Sequence, residues 1–305
     1  MTAILFIATV LIWGSTWIAI KMQVGFSEVL TAVFWRFALA AVVTVLGMAA
    51  LGRLRLPRMR ELPWLAALGF CLFCANFVCF YHASRFVPSG LVSVLFATAT
   101  LFNAVNARLI YGERITTRMI LAGACGALGV LLLFRDELAH GLGAQGGLAV
   151  GLGLCGTLLF SLGNMISRRN SAAGMPVVWA NAWGMSFGTA FLAVAVLASG
   201  SSFVPPADAA WLGAALYLAI IGSVAGFAAY LGLVARIGPS RAAYTTVIFP
   251  VVALTLSWLF EGYHWTPVAV LGLGLVMAGN VILFARAPAR RARAVRAGLS
   301  GRGSG

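Results

Sequence analysis

The sequence is poor in charge. Of 305 residues only 9% are Asp, Glu, Lys or Arg, and Lys21 is the single lysine. Soluble domains carry about a quarter charged residues, so too little polar side chain is present to cover a surface facing water. Acids are scarcest. The seven are Glu28, Glu61, Glu113, Asp136, Glu137, Asp208 and Glu261, all in loops or at the ends of apolar runs. Without a carboxylate at membrane depth, proton coupling through a central acid and transport of metal ions are both disfavoured. Cysteines number five, all inside apolar runs. Cys71-x-x-Cys74 has no second pair or histidine cluster to complete a zinc or redox site. No phosphate loop ends in Gly-Lys-Ser or Gly-Lys-Thr, which excludes ATP-driven transport by this chain alone. No cofactor is implied. No lysine or arginine precedes the first apolar run, as a signal peptide would require, so that run reads as a retained span.

What the chain has is hydrophobic length. It is 62% hydrophobic, with a mean hydropathy of +0.99. A spanning helix needs about 20 apolar residues, so the class is an all-α integral membrane protein with room for ten spans. Runs bounded by Pro, Gly and Arg put them at about 3–20, 29–50, 63–84, 88–110, 116–134, 147–167, 176–198, 208–234, 240–260 and 267–285. Pro63, Pro88, Pro176, Pro239 and Pro267 stand at or just before span starts, where a missing N–H costs little. Pro250 alone lies mid-span and predicts a kink in the ninth helix, freeing the carbonyl of Thr246. Residues 287–305, rich in Arg, Ala and Gly, read as a basic disordered tail.

The net charge of +14 is that of a nucleic-acid binder, but its distribution argues against such a partner. With a cytoplasmic N-terminus, Arg53, Arg55, Arg58, Arg60, Arg108, Arg114, Arg118, Arg168, Arg169, Arg236, Arg241 and six tail arginines lie inside. Only Lys21, Arg85 and Arg135 lie outside. That asymmetry predicts both termini in the cytoplasm.

The chain also repeats. Residues 129–134 (Gly-Val-Leu-Leu-Leu-Phe) parallel 279–284 (Gly-Asn-Val-Ile-Leu-Phe) at an offset of 150. At the same offset Gly112 meets Gly262 and Thr116 meets Thr266. Five spans per copy is an odd number, so two copies, 1–138 and 139–286, would insert upside down relative to each other. Inverted repeats of this kind are a property of secondary transporters, with the substrate path between the halves.

Four motifs carry a family resemblance. Ile12-Trp13-Gly14-Ser15-Thr16-Trp17, Arg36-Phe37, Tyr111-Gly112-Glu113-Arg114-Ile115-Thr116 and Phe260-Glu261-Gly262 resemble the EamA family of the drug/metabolite transporter superfamily, in two tandem units over residues 3 to 285. The resemblance implies a ten-helix exporter or exchanger of small metabolites in the cytoplasmic membrane, with spans three, four, eight and nine around a central cavity. Family members often carry Pro in the middle of span four; here Thr100 stands there, opposite Pro250 in the repeat, so the halves should bend unequally.

Candidate cavity residues are the polar and aromatic groups at membrane depth. Arg36 is the one ionised group well inside a span, about seven residues or roughly 10 Å from its start. Snorkelling to outer headgroups and contact with an anionic substrate group are both open to it. Trp13, Ser15, Thr16 and Trp17 on span one, Asn76 on span three, Thr98 and Thr100 on span four, Tyr230 on span eight, and Thr245, Thr246 and Pro250 on span nine complete the set. Each hydroxyl or amide could equally be helix–helix glue. The implied partners are a small-molecule solute and lipid; monomer and homodimer are both open. A lipid-linked sugar flippase of the same superfamily would show a lateral opening. A membrane enzyme would need a nucleophile–base or metal constellation, and His82 stands without an acid nearby.

Overall fold

The computed structural model describes residues 1–135, 143–237, 242 and 244–284. The expected repeat boundary near 138, Asp136, Glu137, His140, Pro239, Ser240, Arg241 and the tail from 287 lie outside the described residues. The chain is helical, with no strand among the described residues. Its helices are α1 (Thr2–Val24), α2 (Val29–Ala50), α3 (Leu62–Phe70), α4 (Asn76–Phe86), α5 (Ser89–Ala97), α6 (Ala99–Tyr111), α7 (Thr117–Leu133), α8 (Gly143–Ala172), α9 (Val177–Ser199), α10 (Ala209–Leu216), α11 (Gly226–Ile237), α12 (Thr245–Phe260) and α13 (Pro267–Phe284). Two π-helical segments, Cys71–Ala75 and Tyr217–Ala225, join α3 to α4 and α10 to α11.

Joined in this way the helices form ten apolar stretches over the ten expected runs. Seven are long and apolar enough to cross a membrane; Thr117–Leu133, Thr245–Phe260 and Pro267–Ile282 are shorter apolar helices. The protein is therefore multi-pass.

Spans four and nine, expected to bend unequally, differ in helical continuity. The helix breaks between α5 and α6 at Thr98, although no proline stands there. Both the Thr98 N–H and its hydroxyl bond to the carbonyl of Leu95, at 3.1 and 2.6 Å. A hydroxyl competing for the i−3 carbonyl tightens the turn and ends the α-helical run. Pro250, by contrast, sits inside an uninterrupted α12.

Close backbone packing organises the bundle where bulk hydrophobicity cannot, since lipid is as apolar as the core. The tightest seam is α7 on α13. A Cβ on Gly129 would lie 2.5 Å from the carbonyl oxygen of Gly272, and one on Gly279 would lie 2.7 Å from that of Ala122. These contacts exchange at the offset of 150: Gly129 corresponds to Gly279, and Ala122 to Gly272. The turns after α6 and α12 correspond as well, with Gly112 at φ +70° and Gly262 at φ +71°, a conformation that only glycine adopts cheaply.

A polar clasp fixes the segment between α2 and α3. Arg55 makes a two-pronged bond to Glu61 at 2.8 and 3.0 Å, and the Arg58 N–H donates to the same carboxylate at 2.8 Å. The Arg55 guanidinium lies 3.9 Å from the Trp179 ring centre, and its carbonyl accepts from the indoles of Trp179 and Trp183. The bond from Arg55, then that from Arg58, hold the Glu61 carboxyl down to about 2. A carboxyl depressed in the folded state stabilises above its unfolded value of about 4.3 and loses that contribution as pH falls through about 2. Glu61→Gln should therefore lower the melting midpoint at pH 7, and the gap to the parent should close between about pH 4.3 and 2. Melting in detergent across that range checks it; a gap independent of pH would contradict the clasp.

Candidate functional site

Two adjacent spaces lie inside the bundle. The deeper is a chamber lined by Trp13, Thr16, Trp17 and Ile20 of α1, Arg36 of α2, Phe77 and Phe80 of α4, Phe96, Phe160, Gly222, Phe227 and Phe249. The second and larger is a vestibule, which shares Trp13, Phe96, Phe160 and Phe227 with the chamber. Those four rings form the partition. Phe96 and Phe160 meet edge to face at 4.6 Å, and Trp13 and Phe227 at 5.6 Å.

The vestibule is the more polar space. Thr100, Asn103, Asn164, Tyr230 and Thr246 line it, and Glu113 and Arg168 stand at its rim, paired at 2.8 Å. Asn164 donates to Asn103 at 3.2 Å, tying α8 to α6. At the opposite end of α5 the bundle is stapled shut. The Glu261 carboxylate accepts from the Ser89 N–H at 2.8 Å, from the Ser89 hydroxyl, and from Ser257 at 2.8 Å; the Gly90 N–H donates to Ser257 at 2.8 Å. Nearby, Lys21 donates to the Ser84 carbonyl at 2.7 Å.

Arg36 is not snorkelling. Its side chain is buried, 4% exposed, and lines the chamber. Its Nε donates to Ser223 at 3.4 Å, its guanidinium carbon lies 4.4 Å from the Phe77 ring centre and 5.4 Å from that of Phe37, and its Nη1 has no hydrogen-bond partner. The second π segment sets this arrangement. Ser223 donates to the carbonyl of Leu218, five residues back, at 2.9 Å, which holds the wide turn and turns the hydroxyl oxygen toward Arg36. At Gly222 an added Cβ would come within 2.8 Å of Thr16 and 3.9 Å of Arg36. π turns recur at functional sites for such reasons.

The expected site residues divide into three groups. Trp13, Thr16, Trp17 and Arg36 line the chamber, while Thr100, Tyr230 and Thr246 line the vestibule, Trp13 being common to both. Thr100 also donates to Asn280 at 2.5 Å. Thr98 and Thr245 spend their hydroxyls on carbonyls three residues back, Leu95 and Ala242, and Pro250 is buried within α12 and lines neither space. Ser15 bonds Tyr217 at 2.6 Å, and fully buried Asn76 has neither amide atom partnered and lines neither space. Sequence reasoning found Trp13 and Trp17 but missed the phenylalanines of the lining. Phe73, Phe77 and Phe80 recur at helical spacing, but nothing in such a chain separates a cavity-facing ring from a lipid-facing one.

A path of this form, with aromatic walls, a buried cation and one stapled end, calls for comparison with known membrane proteins. The profile of the EamA-like transporter family matches residues 1–135 and again 147–285. The chain belongs to that family. The EamA assignment, within the drug/metabolite transporter superfamily, makes the protein a transporter. It is 27% identical to a probable terminal-alkyne amino-acid exporter of Streptantibioticus cattleyicolor, over 94% of this chain and 95% of that protein. It is 27% identical to the uncharacterized inner membrane transporter YedA of Escherichia coli, over 90% and 88%. It is 24% identical to a probable amino-acid metabolite efflux pump of Salmonella typhimurium, over 90% and 91%. A solved crystal structure with 15% identity superposes with a TM-score of 0.64 over 92% of this chain and 96% of that one, and so shares the fold. Within this EamA chain, Trp13, Thr16 and Trp17 of the first motif and Arg36 of the second are the motif residues that meet in the chamber.

Proposed function

We propose that the protein is a secondary transporter that exports or exchanges small organic metabolites, amino acids or related solutes, across the cytoplasmic membrane by alternating access. The single observation that carries this is the pair of spaces in series: a vestibule open at the Glu113–Arg168 end, an aromatic partition, a chamber, and a staple at the Ser89–Glu261 end. A solute path closed at one end and open at the other is one half of an alternating cycle. The arginine asymmetry puts the vestibule mouth in the cytoplasm, with both termini. The three shorter apolar helices complete ten spans.

Support for two inverted repeats comes from several directions. The family profile matches twice, the α7–α13 glycine contacts exchange at the offset of 150, and π segments interrupt both the third and the eighth apolar stretch. The printed names of two relatives, an amino-acid exporter and an amino-acid metabolite efflux pump, favour solutes of that size. Purified protein in proteoliposomes, loaded with an unlabelled metabolite pool, should take up a labelled member of that pool by counterflow. Uptake no faster than in empty liposomes across a panel of amino acids, their acylated forms and organic acids would overturn the proposal.

A further inference from the structure

The chamber holds a charge that its own walls do not balance. Arg36 is the one ionisable side chain in the lining, and no acid accompanies it. Ser223 accepts one long bond, the Nη1 group is unpartnered, and Phe77 and Phe37 cover the guanidinium faces. The Tyr81 hydroxyl, which donates to Gln23 at 3.0 Å, offers the neighbouring guanidinium a neutral oxygen and no counter-charge. A buried cation without a counter-ion is a costly arrangement, and a guanidinium fork is shaped to take a carboxylate.

The rest of the lining states what that carboxylate must be attached to. Two indoles, six phenyl rings and Ile20 leave Thr16 as the only other side chain with a hydroxyl, and Thr16 donates to the Trp13 carbonyl at 2.7 Å. Such walls take an aromatic or branched apolar body. A free ammonium group would find no carboxylate there, and it would bring a second positive charge into a chamber that already holds one. The face of an aromatic ring is an alternative partner, but Arg36 itself takes Phe77, and an ammonium over any other ring would still add a second positive charge. A dianion such as a phosphate monoester would leave one negative charge in excess. One carboxylate and no ammonium is the balanced ligand.

We infer that the chamber selects small aromatic or branched monocarboxylates carrying no charged nitrogen, such as arylalkanoates and N-acylated aromatic amino acids, over free zwitterionic amino acids. This rests on the transporter reading and narrows its substrate class.

Five probes test it on the purified full chain: 3-phenylpropanoate, N-acetylphenylalanine, phenylalanine, phenethylamine and 3-phenylpropanamide. Binding is read by quenching of tryptophan fluorescence and by thermal shift. The two monocarboxylates should bind at least tenfold more tightly than the other three. In Arg36→Met, which keeps the bulk, the margin of 3-phenylpropanoate over its amide should vanish; in Arg36→Lys it should shrink but survive. Phenylalanine binding as tightly as N-acetylphenylalanine, the amide binding as tightly as the acid, or none of the five binding, each overturns the inference. Counterflow with the same compounds separates the two claims. Exchange that favours phenylalanine overturns the inference and leaves the transporter reading standing. Binding of N-acetylphenylalanine without exchange of any solute does the reverse.

Discussion

Arg36→Met is expected to abolish transport while leaving the protein as stable as the parent, or more so. The two effects separate because the guanidinium is buried among Phe37, Phe77 and Ser223 with no counter-ion among the described residues. Replacing a poorly compensated buried charge with an apolar side chain of similar volume is commonly neutral or stabilising. The ligand loses its charged partner, which costs about 2 kcal/mol or more for a desolvated pair, roughly thirtyfold in affinity. Thermal melting and counterflow on the same preparation read both sides. A variant that melts well below the parent would make Arg36 a structural residue, and one that transports normally would remove it from the path.

Gly129→Leu should have the largest effect on stability. The first atom of the new side chain would meet the Gly272 carbonyl oxygen at 2.5 Å and the Val276 nitrogen at 2.9 Å, both backbone. Helix backbones cannot turn aside as a flexible side chain can, so α7 and α13 must separate. Overpacking a tight core costs about 1–3 kcal/mol, and loss of a helix seam lies at or above the top of that range. The seam lies away from the chamber, and none of these residues lines it. Folded protein recovered at low temperature should therefore still bind ligand, with a melting midpoint lower by ten degrees or so. A midpoint within two degrees of the parent would show that the seam is loose.

Helix positions were legible in the sequence because charge and proline mark the ends of apolar runs: Arg53 to Glu61, Gly112 to Thr116 and Pro176 all fall between helices. The identity of the family was legible in the motifs around Trp13, Arg36 and Tyr111. Side-chain direction was not. A chain solvated by lipid has no polar face to give a helical period, so Phe80, which lines the chamber, and Phe70, which is exposed, look alike in sequence. Nor did the hydroxyls declare themselves. Thr98 and Thr246 are both threonines at mid-span, but one bonds its own helix and breaks it, and the other lines the vestibule. The π segments at Cys71–Ala75 and Tyr217–Ala225 carry no compositional signal, since their geometry is fixed by tertiary contacts such as Gly222 against Thr16.

Alternation requires the Ser89–Ser257–Glu261 staple to open in every cycle. Ser89 and Ser257 face each other with hydroxyl oxygens 3.4 Å apart across α5 and α12, near enough for a pair of cysteines to bridge. Counterflow by a Ser89→Cys/Ser257→Cys chain, with Cys71, Cys74, Cys79, Cys125 and Cys155 replaced by Ala or Ser, tests this directly. Oxidation should stop uptake almost completely, and a thiol reductant should restore it, while either single-cysteine chain should be indifferent to both. Undiminished uptake by fully cross-linked protein would contradict alternating access through this end of the bundle.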